Sequence, residues 1–295
     1  MTKILCIAGP TASGKSARAV EIALRGFVNP SFDDGFTKPI MGEIISVDSR
    51  QVYRGLDIGT EKITVEEMRG IPHHLINIRD VDENYSAGDF VTDATRLIEE
   101  ITARGKLPIL VGGTHFYFDA LLHGLPMGTD ANPALRAELE ALSSEELYAR
   151  VRFADARRAA ELDPQNRRRL VRALEIIEAR GVVPTRSDLV QKYEVKWIVI
   201  DPEKEELRAR IDARLKQALG LGLIEEVRRV RENVGDARLN ELGLEYKIVG
   251  EFLRENNKMS NTECLTLLLP ILSAKLWQYA RRQKAWLRKL GHPVS

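Results

Sequence analysis

A glycine-rich loop near the beginning of the chain carries the residue types that bind phosphate groups. It matches the pattern G-x-x-x-x-G-K-[ST] at every fixed position. In such a loop the backbone N–H groups turn inward around an anion, the lysine reaches a phosphate oxygen, and the final hydroxyl can bind Mg²⁺. The sequence therefore predicts a site for a phosphorylated or pyrophosphorylated ligand, with Ser16 as its metal-binding residue. The predicted loop consists of Gly9, Pro10, Thr11, Ala12, Ser13, Gly14, Lys15 and Ser16.

Two further polar side chains follow short apolar runs. Asp48 comes after the run 43–47, and Thr114 follows the run 107–111 and two glycines. Ligands of open α/β sheets bind at the carboxyl ends of the strands, so both side chains are candidates for the same site. Asp48 can help to hold Mg²⁺, act as a general base toward a nitrogen or oxygen acceptor, or cap the segment that follows it. Thr114 offers a hydrogen bond beside glycines that permit close approach of a ligand.

Basic residues are concentrated in two parts of a chain whose formal net charge is only +1. On a predicted helix, the spacing of Arg168, Arg169 and Arg172 places them on one side. Between 281 and 288, arginine and lysine side chains are interleaved with Trp286. This distribution favours a polyanion bound through its backbone phosphates and a stacking surface. The alternative in each case is an amphipathic helix with a solvated charged face, and with Trp286 in the core.

The elements that must position these residues alternate between strands and helices in the first part of the chain. A helix is predicted to begin at Ser86, which forms a capping box with Asp89. Alternating strands and helices joined by short glycine turns indicate a parallel sheet covered on both faces. The predicted strands cover 3–8, 43–47, 74–78 and 107–111, and the helix after the glycine loop covers 16–25.

The pattern changes after about residue 125. Between 132 and 181 only helix signals occur: Ser143 and Glu146 can cap one helix, and Asp163-Pro164 can begin the next. An apolar strand returns over 195–200, Asp201-Pro202 can start another helix, and the remainder reads as helical. The predicted fold class is therefore α/β, with a parallel-sheet core like that of P-loop NTPases. The core is predicted to cover 1–122 and 195–295, and a helical subdomain to be inserted at 123–194.

Composition excludes several classes of protein. The two cysteines, Cys6 and Cys264, give neither a disulfide framework nor a zinc site, which is typical of a reducing cytoplasm. His73 and His74 are adjacent on a predicted strand and point to opposite faces, which argues against a shared metal. The chain opens directly into a strand without signal-peptide features, and its longest apolar run, 265–272, is too short to cross a bilayer. We therefore expect a cytoplasmic protein without a membrane segment.

Six motifs follow one another over nearly the whole chain. They are the glycine loop, Ser46-Val47-Asp48-Ser49-Arg50-Gln51-Val52-Tyr53, Asp57-Ile58-Gly59-Thr60, Tyr85-Ser86-Ala87 with Phe90, Leu110-Val111-Gly112-Gly113-Thr114, and Arg282-Gln283 with Trp286. In this order they resemble the tRNA dimethylallyltransferases, the isopentenyltransferases that modify the adenosine 3′ of the anticodon. A zinc finger like that of eukaryotic members is not evident, so the resemblance is to the bacterial type.

The resemblance implies a mechanism. The glycine loop would hold the diphosphate of dimethylallyl diphosphate rather than ATP. Lys15, together with Mg²⁺ on Ser16, would neutralise the departing diphosphate. Asp48 would accept a proton from adenine N6 as that nitrogen attacks the allylic carbon, and Thr114 would lie near the leaving group. The adenine would have to leave its stack to reach this site. The implied catalytic residues are thus Asp48, Thr114 and Lys15.

The resemblance also implies contacts with the anticodon stem-loop of tRNA, made by a monomeric protein. The expected tRNA-binding residues are Asp48, Ser49, Arg50, Gln51, Arg136, Arg168, Arg169, Arg172, Arg282, Gln283, Trp286 and Arg288. Three features depart from the usual family pattern. The loop 27–42 is longer, His115-Phe116 replaces the commoner Gly-Leu, and two residues, Leu244 and Glu245, are inserted between Gly243 and Tyr246.

Three other functions use the same phosphate loop. A prenyltransferase acting on free adenine nucleotide would have no need of the two arginine-rich regions. A small-molecule kinase would use Lys15 and Ser16 on ATP, and ATP consumption would distinguish it. A nucleotide-switched RNA-binding protein without catalysis is the third, although the chain has no Asn-Lys-x-Asp motif for reading guanine.

Overall fold

Parallel strands form the central sheet. The computed structural model describes residues 1–27, 40–124, 132–184, 192–256 and 261–288. Its strands are β1 (Thr2–Ala8), β2 (Gly42–Val47), β3 (His73–His74), β4 (Leu107–Gly112) and β5 (Tyr193–Val199). They pair in the order β3-β2-β4-β1-β5, and every pairing is parallel. The predicted α/β class with a parallel sheet is confirmed.

Helices account for most of the remaining described residues. Two compact units can be distinguished: Met1–Leu121 together with Lys192–Ser295, and Leu122–Gln191. The sheet belongs to the first unit. The helices are α1 (Lys15–Arg25), α2 (Val65–Met68), α3 (Ala87–Ala103), α4 (His115–His123), α5 (Pro133–Glu140), α6 (Ser144–Ala154), α7 (Ala156–Ala160), α8 (Arg167–Arg180), α9 (Lys204–Gly220), α10 (Leu223–Leu239), α11 (Leu244–Glu255) and α12 (Asn261–Leu287).

The core of the first unit forms between the sheet and its flanking helices. The apolar face of α1 packs on β1 and β4, and the helix ends at Gly26, whose φ of 77° favours glycine. Helix α3 begins with the predicted capping box between Ser86 and Asp89. Both helices bury the residues that their periodicity predicts. These are Ala19, Ile22 and Ala23 in α1, and Phe90, Ala94, Leu97, Ile98 and Ile101 in α3.

The second unit has an apolar core of its own. Helices α6 and α8 pack on each other through fully buried side chains such as Leu147 and Leu170. Ser143 and Glu146 form the predicted capping box at the start of α6. The helix predicted to begin at Asp163-Pro164 instead begins at Arg167. The prediction is wrong because the Asn166 side chain caps that helix.

Two boundaries in the first unit also differ from the prediction. The strand predicted over 74–78 ends at His74, because Leu75 and Asn77 adopt φ values of 62° and 56° that no strand contains. The backbone then bonds to the segment after β2, where Asn77 N–H donates to Gln51 O. The helix predicted from Asp201-Pro202 begins two residues later, at Lys204.

The two adjacent histidines have structural partners. His74 Nε2 lies 2.8 Å from a carboxylate oxygen of the buried Glu43, and His73 Nδ1 lies 2.8 Å from Ile71 O. Burial alone would raise the pKa of Glu43, but hydrogen bonds from Arg104, His74 and Lys106 lower it to about 2. The argument against a shared metal is consistent with these contacts.

Several sequence-based expectations concern residues that the structure describes only in part. Phe27 and Ile40 form an antiparallel bridge at the base of the long loop, whose residues 28–39 lie outside the described ranges. Cys6 is a buried free thiol in β1, whereas the side chain of Cys264 is outside the described part. Within the described ranges, none of the helices has the length and apolar character needed to cross a membrane.

Candidate active site

The register of the sheet brings three loops together at one edge. Val47 of β2 pairs with Gly112 of β4, and Gly112 pairs in turn with Ala8 of β1. The residues that follow these three strands are the glycine loop, Asp48 and the Gly113-Thr114 turn. Because the strands are parallel and their ends are level, all three leave the sheet side by side at its carboxyl edge.

The glycine loop leads into α1 as its motif predicts. Gly14 precedes the helix with a φ of 85°, a backbone conformation that residues other than glycine rarely adopt. Lys15 Nζ donates to Pro10 O at 3.1 Å, and so lies across the loop. Burial lowers the pKa of Lys15, while the nearby carboxylates of Asp48 and Glu61 act in the opposite direction. The lysine is therefore held inside the loop, close enough to Asp48 for their charges to interact.

Two hydroxyl groups of the loop differ in their exposure. Ser13 Oγ is buried without a hydrogen-bond partner among the described residues. Ser16 lies at the start of α1 and is exposed. A buried hydroxyl without a partner is costly, and an anion in the loop would satisfy it.

Two arginines of α9 support the loop from outside its motif. Arg210 donates to Ser13 O at 3.0 Å. Arg214, one turn later, donates to Thr11 Oγ1 and also to Gly59 O at 3.2 Å. Its side chain is only 11% exposed. The glycine-loop motif gives no indication of these residues, and their spacing of four on a predicted helix is the only signal in the sequence.

Carboxylates surround the Arg214 guanidinium. Nε lies 3.2 Å from Glu61, and Nη2 lies 3.2 Å from Glu245. Burial raises the pKa of Glu245, although the positive charge of Arg214 opposes this shift. Glu245 is one of the two residues expected to be inserted relative to the family pattern, and it lies beside the arginine that contacts the glycine loop.

Asp48 has one oxygen engaged by the backbone. Oδ1 accepts hydrogen bonds from the N–H groups of Arg50 and Gln51 at 2.8 and 3.2 Å. Oδ2 accepts none from the described residues. Asp48 therefore acts as a cap, one of the three roles open to it, and the same bonds fix its orientation at the strand end.

Thr114 joins the loops after β2 and β4. Its Oγ1 accepts a hydrogen bond from Ser49 N–H at 3.2 Å, and its own N–H donates to Val47 O at 3.2 Å. Gln51 is held nearby through its Nε2, which donates to Thr60 O at 3.2 Å. The residues expected to contact tRNA after β2 are therefore fixed by hydrogen bonds within the protein.

The Asp57-Ile58-Gly59-Thr60 motif wraps around one buried carboxylate. Glu226 of α10 is 2% exposed. It accepts hydrogen bonds from the N–H groups of Asp57, Ile58 and Gly59 at 3.0–3.2 Å, and from Tyr246 Oη at 2.6 Å. Burial, followed by the charge of Glu226, raises the pKa of Tyr246. Tyr246 therefore remains a donor, and its hydroxyl is turned inward.

The C-terminal helix places its motif residues in different surroundings. Gln283 is 3% exposed and bonds to Thr11 and Gly113. Trp286 stacks on His115, with ring centroids 4.3 Å apart. Arg282 and Arg288 are exposed. The interpretation of Trp286 as a packed side chain thus agrees with its stacking, while the two arginines remain accessible.

His115 is a second group without a partner. Its Nε2 is buried and has no hydrogen-bond partner among the described residues. Burial, with a smaller contribution from the Lys15 charge, lowers the pKa of His115 to about 4. The imidazole is therefore neutral at physiological pH.

The arginines of the second unit fall into two groups. Arg136 and Arg172 both pair with the buried Glu175, at 2.8 and 2.9 Å. Arg168 and Arg169 are exposed and form no ion pair within the described residues. Glu175 is therefore the acidic partner that the solvated-face alternative predicts for Arg172. Only Arg168 and Arg169 of this set have side chains free of such a partner in the described part of the chain.

Comparison with known proteins identifies similar sequences over almost the whole length. A family model described as IPP transferase matches residues 51–290. The tRNA dimethylallyltransferase of Streptococcus sanguinis strain SK36 is 39% identical over 291 residues, which cover 97% of this chain and 90% of that protein. The protein of the same name from Thermomicrobium roseum is 38% identical over 295 residues, covering 97% of this chain and 84% of the relative.

Solved structures give the same result. A tRNA isopentenylpyrophosphate transferase from Bacillus halodurans has a TM-score of 0.68 at 37% identity, covering 98% of this chain and 87% of that one. A eukaryotic dimethylallyltransferase acting on tRNA has a TM-score of 0.80 at 28% identity, covering 97% of this chain and 70% of that one.

Proposed function

Because this chain belongs to the IPP transferase family, we propose that it is a tRNA dimethylallyltransferase. The family and the enzyme class predicted from the order of the motifs are confirmed by the relatives. The proposed reaction transfers a dimethylallyl group from dimethylallyl diphosphate to N6 of the adenosine 3′ of the anticodon, and it releases diphosphate.

One observation supports this reaction more than any other. The ends of β1, β4 and β2 are level, so the glycine loop and Asp48 lie two strands apart at the same sheet edge. A diphosphate held in the loop would direct its allylic carbon toward the space in front of Asp48. We therefore assign one half of the site to the prenyl donor and the other half to the acceptor.

The chemical step requires a base at the acceptor. The N6 lone pair attacks C1 of the dimethylallyl group, the C1–O bond breaks, and its electron pair leaves with the diphosphate. The proton on N6 passes to Asp48, and Oδ2 is the oxygen that no described N–H occupies. The two N–H bonds to Oδ1 would hold the carboxylate in place during the transfer.

Cationic and N–H groups would stabilise the departing diphosphate. Lys15 lies across the loop, and Arg214 contacts Thr11 with most of its side chain buried. Ser13 Oγ would gain the partner that it lacks. Thr114 would help to fix the acceptor half through its bond to Ser49. The backbone N–H groups of Gly14, Lys15 and Ser16, where the loop enters α1, would contribute as well.

Magnesium fits the donor half of this site. The described residues include no group of three or more His, Cys, Asp or Glu side chains that could hold a metal. Mg²⁺ at a phosphate site needs no such group, because it takes most of its ligands from phosphate and water. The exposed Ser16 hydroxyl is a suitable oxygen ligand. When bound, the ion would supply positive charge to the leaving diphosphate.

The tRNA would contact exposed polar and basic groups. We propose that Arg168, Arg169, Arg282 and Arg288 bind its phosphates, while Arg136 and Arg172 do so only by exchanging their partner Glu175. Ser49, Arg50 and Gln51 lie beside Asp48 and would face the extruded adenosine. A monomer in the cytoplasm, where tRNA is modified, would suffice for all these contacts.

An acceptor series tests the proposal. The protein is incubated with labelled dimethylallyl diphosphate and either an unmodified tRNA transcript, the same transcript with guanosine 3′ of the anticodon, or adenosine monophosphate. We expect label only on the first. Label on adenosine monophosphate alone would indicate the nucleotide enzyme, and ATP consumption without label transfer would indicate a kinase.

A further inference from the structure

Gln283 lies between the two halves of the proposed site. The resemblance assigned it to tRNA contact, but its side chain is almost completely buried. Oε1 accepts a hydrogen bond from Thr11 N–H at 2.9 Å, and Nε2 donates to Gly113 O at 3.0 Å. One side-chain amide therefore satisfies a donor of the glycine loop and an acceptor of the turn after β4.

These two contacts belong to a longer series of hydrogen bonds. Gly113 precedes Thr114, whose Oγ1 accepts the Ser49 N–H, and Ser49 follows Asp48. The series thus runs from the glycine loop, through the Gln283 amide, to the residue next to the proposed base. Both bonds of the Gln283 amide have ordinary lengths. The amide can make the two bonds at once only while Thr11 N and Gly113 O stay at a fixed distance from each other.

We propose that Gln283 is a positioning residue, which sets the separation between the diphosphate half and the Asp48 half of the site and does not bind tRNA. This rests on the proposed function. Prenyl transfer requires the allylic carbon and the attacking nitrogen to be aligned, and a misplacement of about 1 Å can cost about 10²-fold in rate. Each half would still bind its own ligand without Gln283, but the two would no longer be held in register.

Gly113 offers a second way to disturb the same contact. A Cβ at Gly113 would lie 2.6 Å from Gln283 Nε2, which is too close for both to keep their places. The Gly113→Ala variant would therefore push the amide away from Gly113 O without altering Gln283 itself. We expect it to reproduce the defect of a Gln283 variant.

The test uses Gln283→Met, which removes both hydrogen bonds at similar volume, and Gln283→Asn, which is too short to span them. The control is Gln278→Met, an exposed position on the same helix. We expect kcat to fall about 10- to 100-fold in both Gln283 variants. The KM for dimethylallyl diphosphate and the Kd for tRNA should change less than threefold, and the control should match the wild type. Combining Gly113→Ala with Gln283→Met should lower kcat no more than threefold further.

A tRNA Kd that rises while kcat is kept would overturn the positioning role, and so would parallel losses of kcat, tRNA affinity and melting temperature.

Hydrogen exchange gives a readout that does not depend on catalysis. The peptide containing Thr11 should exchange faster in Gln283→Met than in Gln278→Met, and equal exchange would contradict the proposal. Absence of prenyl transfer by the wild-type protein would count against the proposed function instead.

Discussion

Replacing Glu226 with glutamine tests how the loop that supports Arg214 is held. The Glu226 carboxylate is buried and receives four donors, namely three backbone N–H groups and the Tyr246 hydroxyl. Glutamine has nearly the same shape but keeps a single acceptor oxygen. Its NH₂ group would face N–H groups that it cannot satisfy.

The expected cost follows from these contacts. Oε1 of Glu226 accepts hydrogen bonds from Ile58 N–H, Gly59 N–H and the Tyr246 hydroxyl, whereas Oε2 accepts them from Asp57 N–H and Ile58 N–H. A glutamine at this position can keep the hydrogen bonds to Oε1, but its NH₂ group cannot accept those made to Oε2. Because the Ile58 N–H keeps its bond to the retained oxygen, only the Asp57 N–H is left without an acceptor. A hydrogen bond to a charged group contributes about 1.5–3 kcal/mol, so we expect the free energy of unfolding to fall by about that amount.

Urea unfolding measures this change, with Glu232→Gln as the matched control. Glu232 is an exposed residue of the same helix, α10, and its replacement should change the free energy of unfolding by less than about 0.5 kcal/mol. A Glu226→Gln protein as stable as its control would refute the argument. The KM for dimethylallyl diphosphate should also rise in Glu226→Gln, because Gly59 O holds Arg214.

Other side chains give four predictions that can be measured in parallel. Asp48→Asn keeps an oxygen for the capping bonds but removes the base, so single-turnover prenyl transfer should slow about 10²- to 10⁴-fold with dimethylallyl diphosphate binding unchanged. Arg214→Gln should weaken dimethylallyl diphosphate binding about tenfold or more in calorimetry, since it removes a charged hydrogen bond to the loop. The folded-state pKa of Glu43 lies near 2, below its usual 4.5, so its ionised form should stabilise the fold above about pH 4.5 and lose this effect as the pH falls toward 2. Glu43→Gln should therefore flatten acid unfolding in that range. Replacing Arg168 and Arg169 with glutamine should make the salt dependence of tRNA binding shallower, by about one unit of slope for each phosphate that is no longer neutralised, and an unchanged slope would mean that these arginines face only solvent.

Local patterns were sufficient to predict much of the fold. The glycine loop between β1 and α1, and the capping boxes at Ser86 and Ser143, depend on residues close in sequence, and each forms as expected. The strand predicted over 74–78 failed for a tertiary reason. Its alternating pattern is overridden by backbone bonds to the segment after β2, which require two left-handed residues.

The surroundings of the site were harder to predict. Arg214 reaches Thr11 from 203 residues away, and Glu226 reaches Asp57 from 169 residues away. No motif connects such residues, because their meeting depends on how α9 and α10 pack. Gln283 shows the converse case: its motif was evident, but only its burial reveals that it contacts the glycine loop rather than a surface partner.

The most direct measurement of the central claim follows both products of one reaction. The wild-type protein is mixed with Mg²⁺, dimethylallyl diphosphate and unmodified tRNA, and both the released diphosphate and the modified nucleoside are quantified. The two-part site predicts one diphosphate for each N6-dimethylallyladenosine, formed next to the anticodon, with no consumption of nucleoside triphosphates. Triphosphate turnover with unaltered tRNA would contradict it.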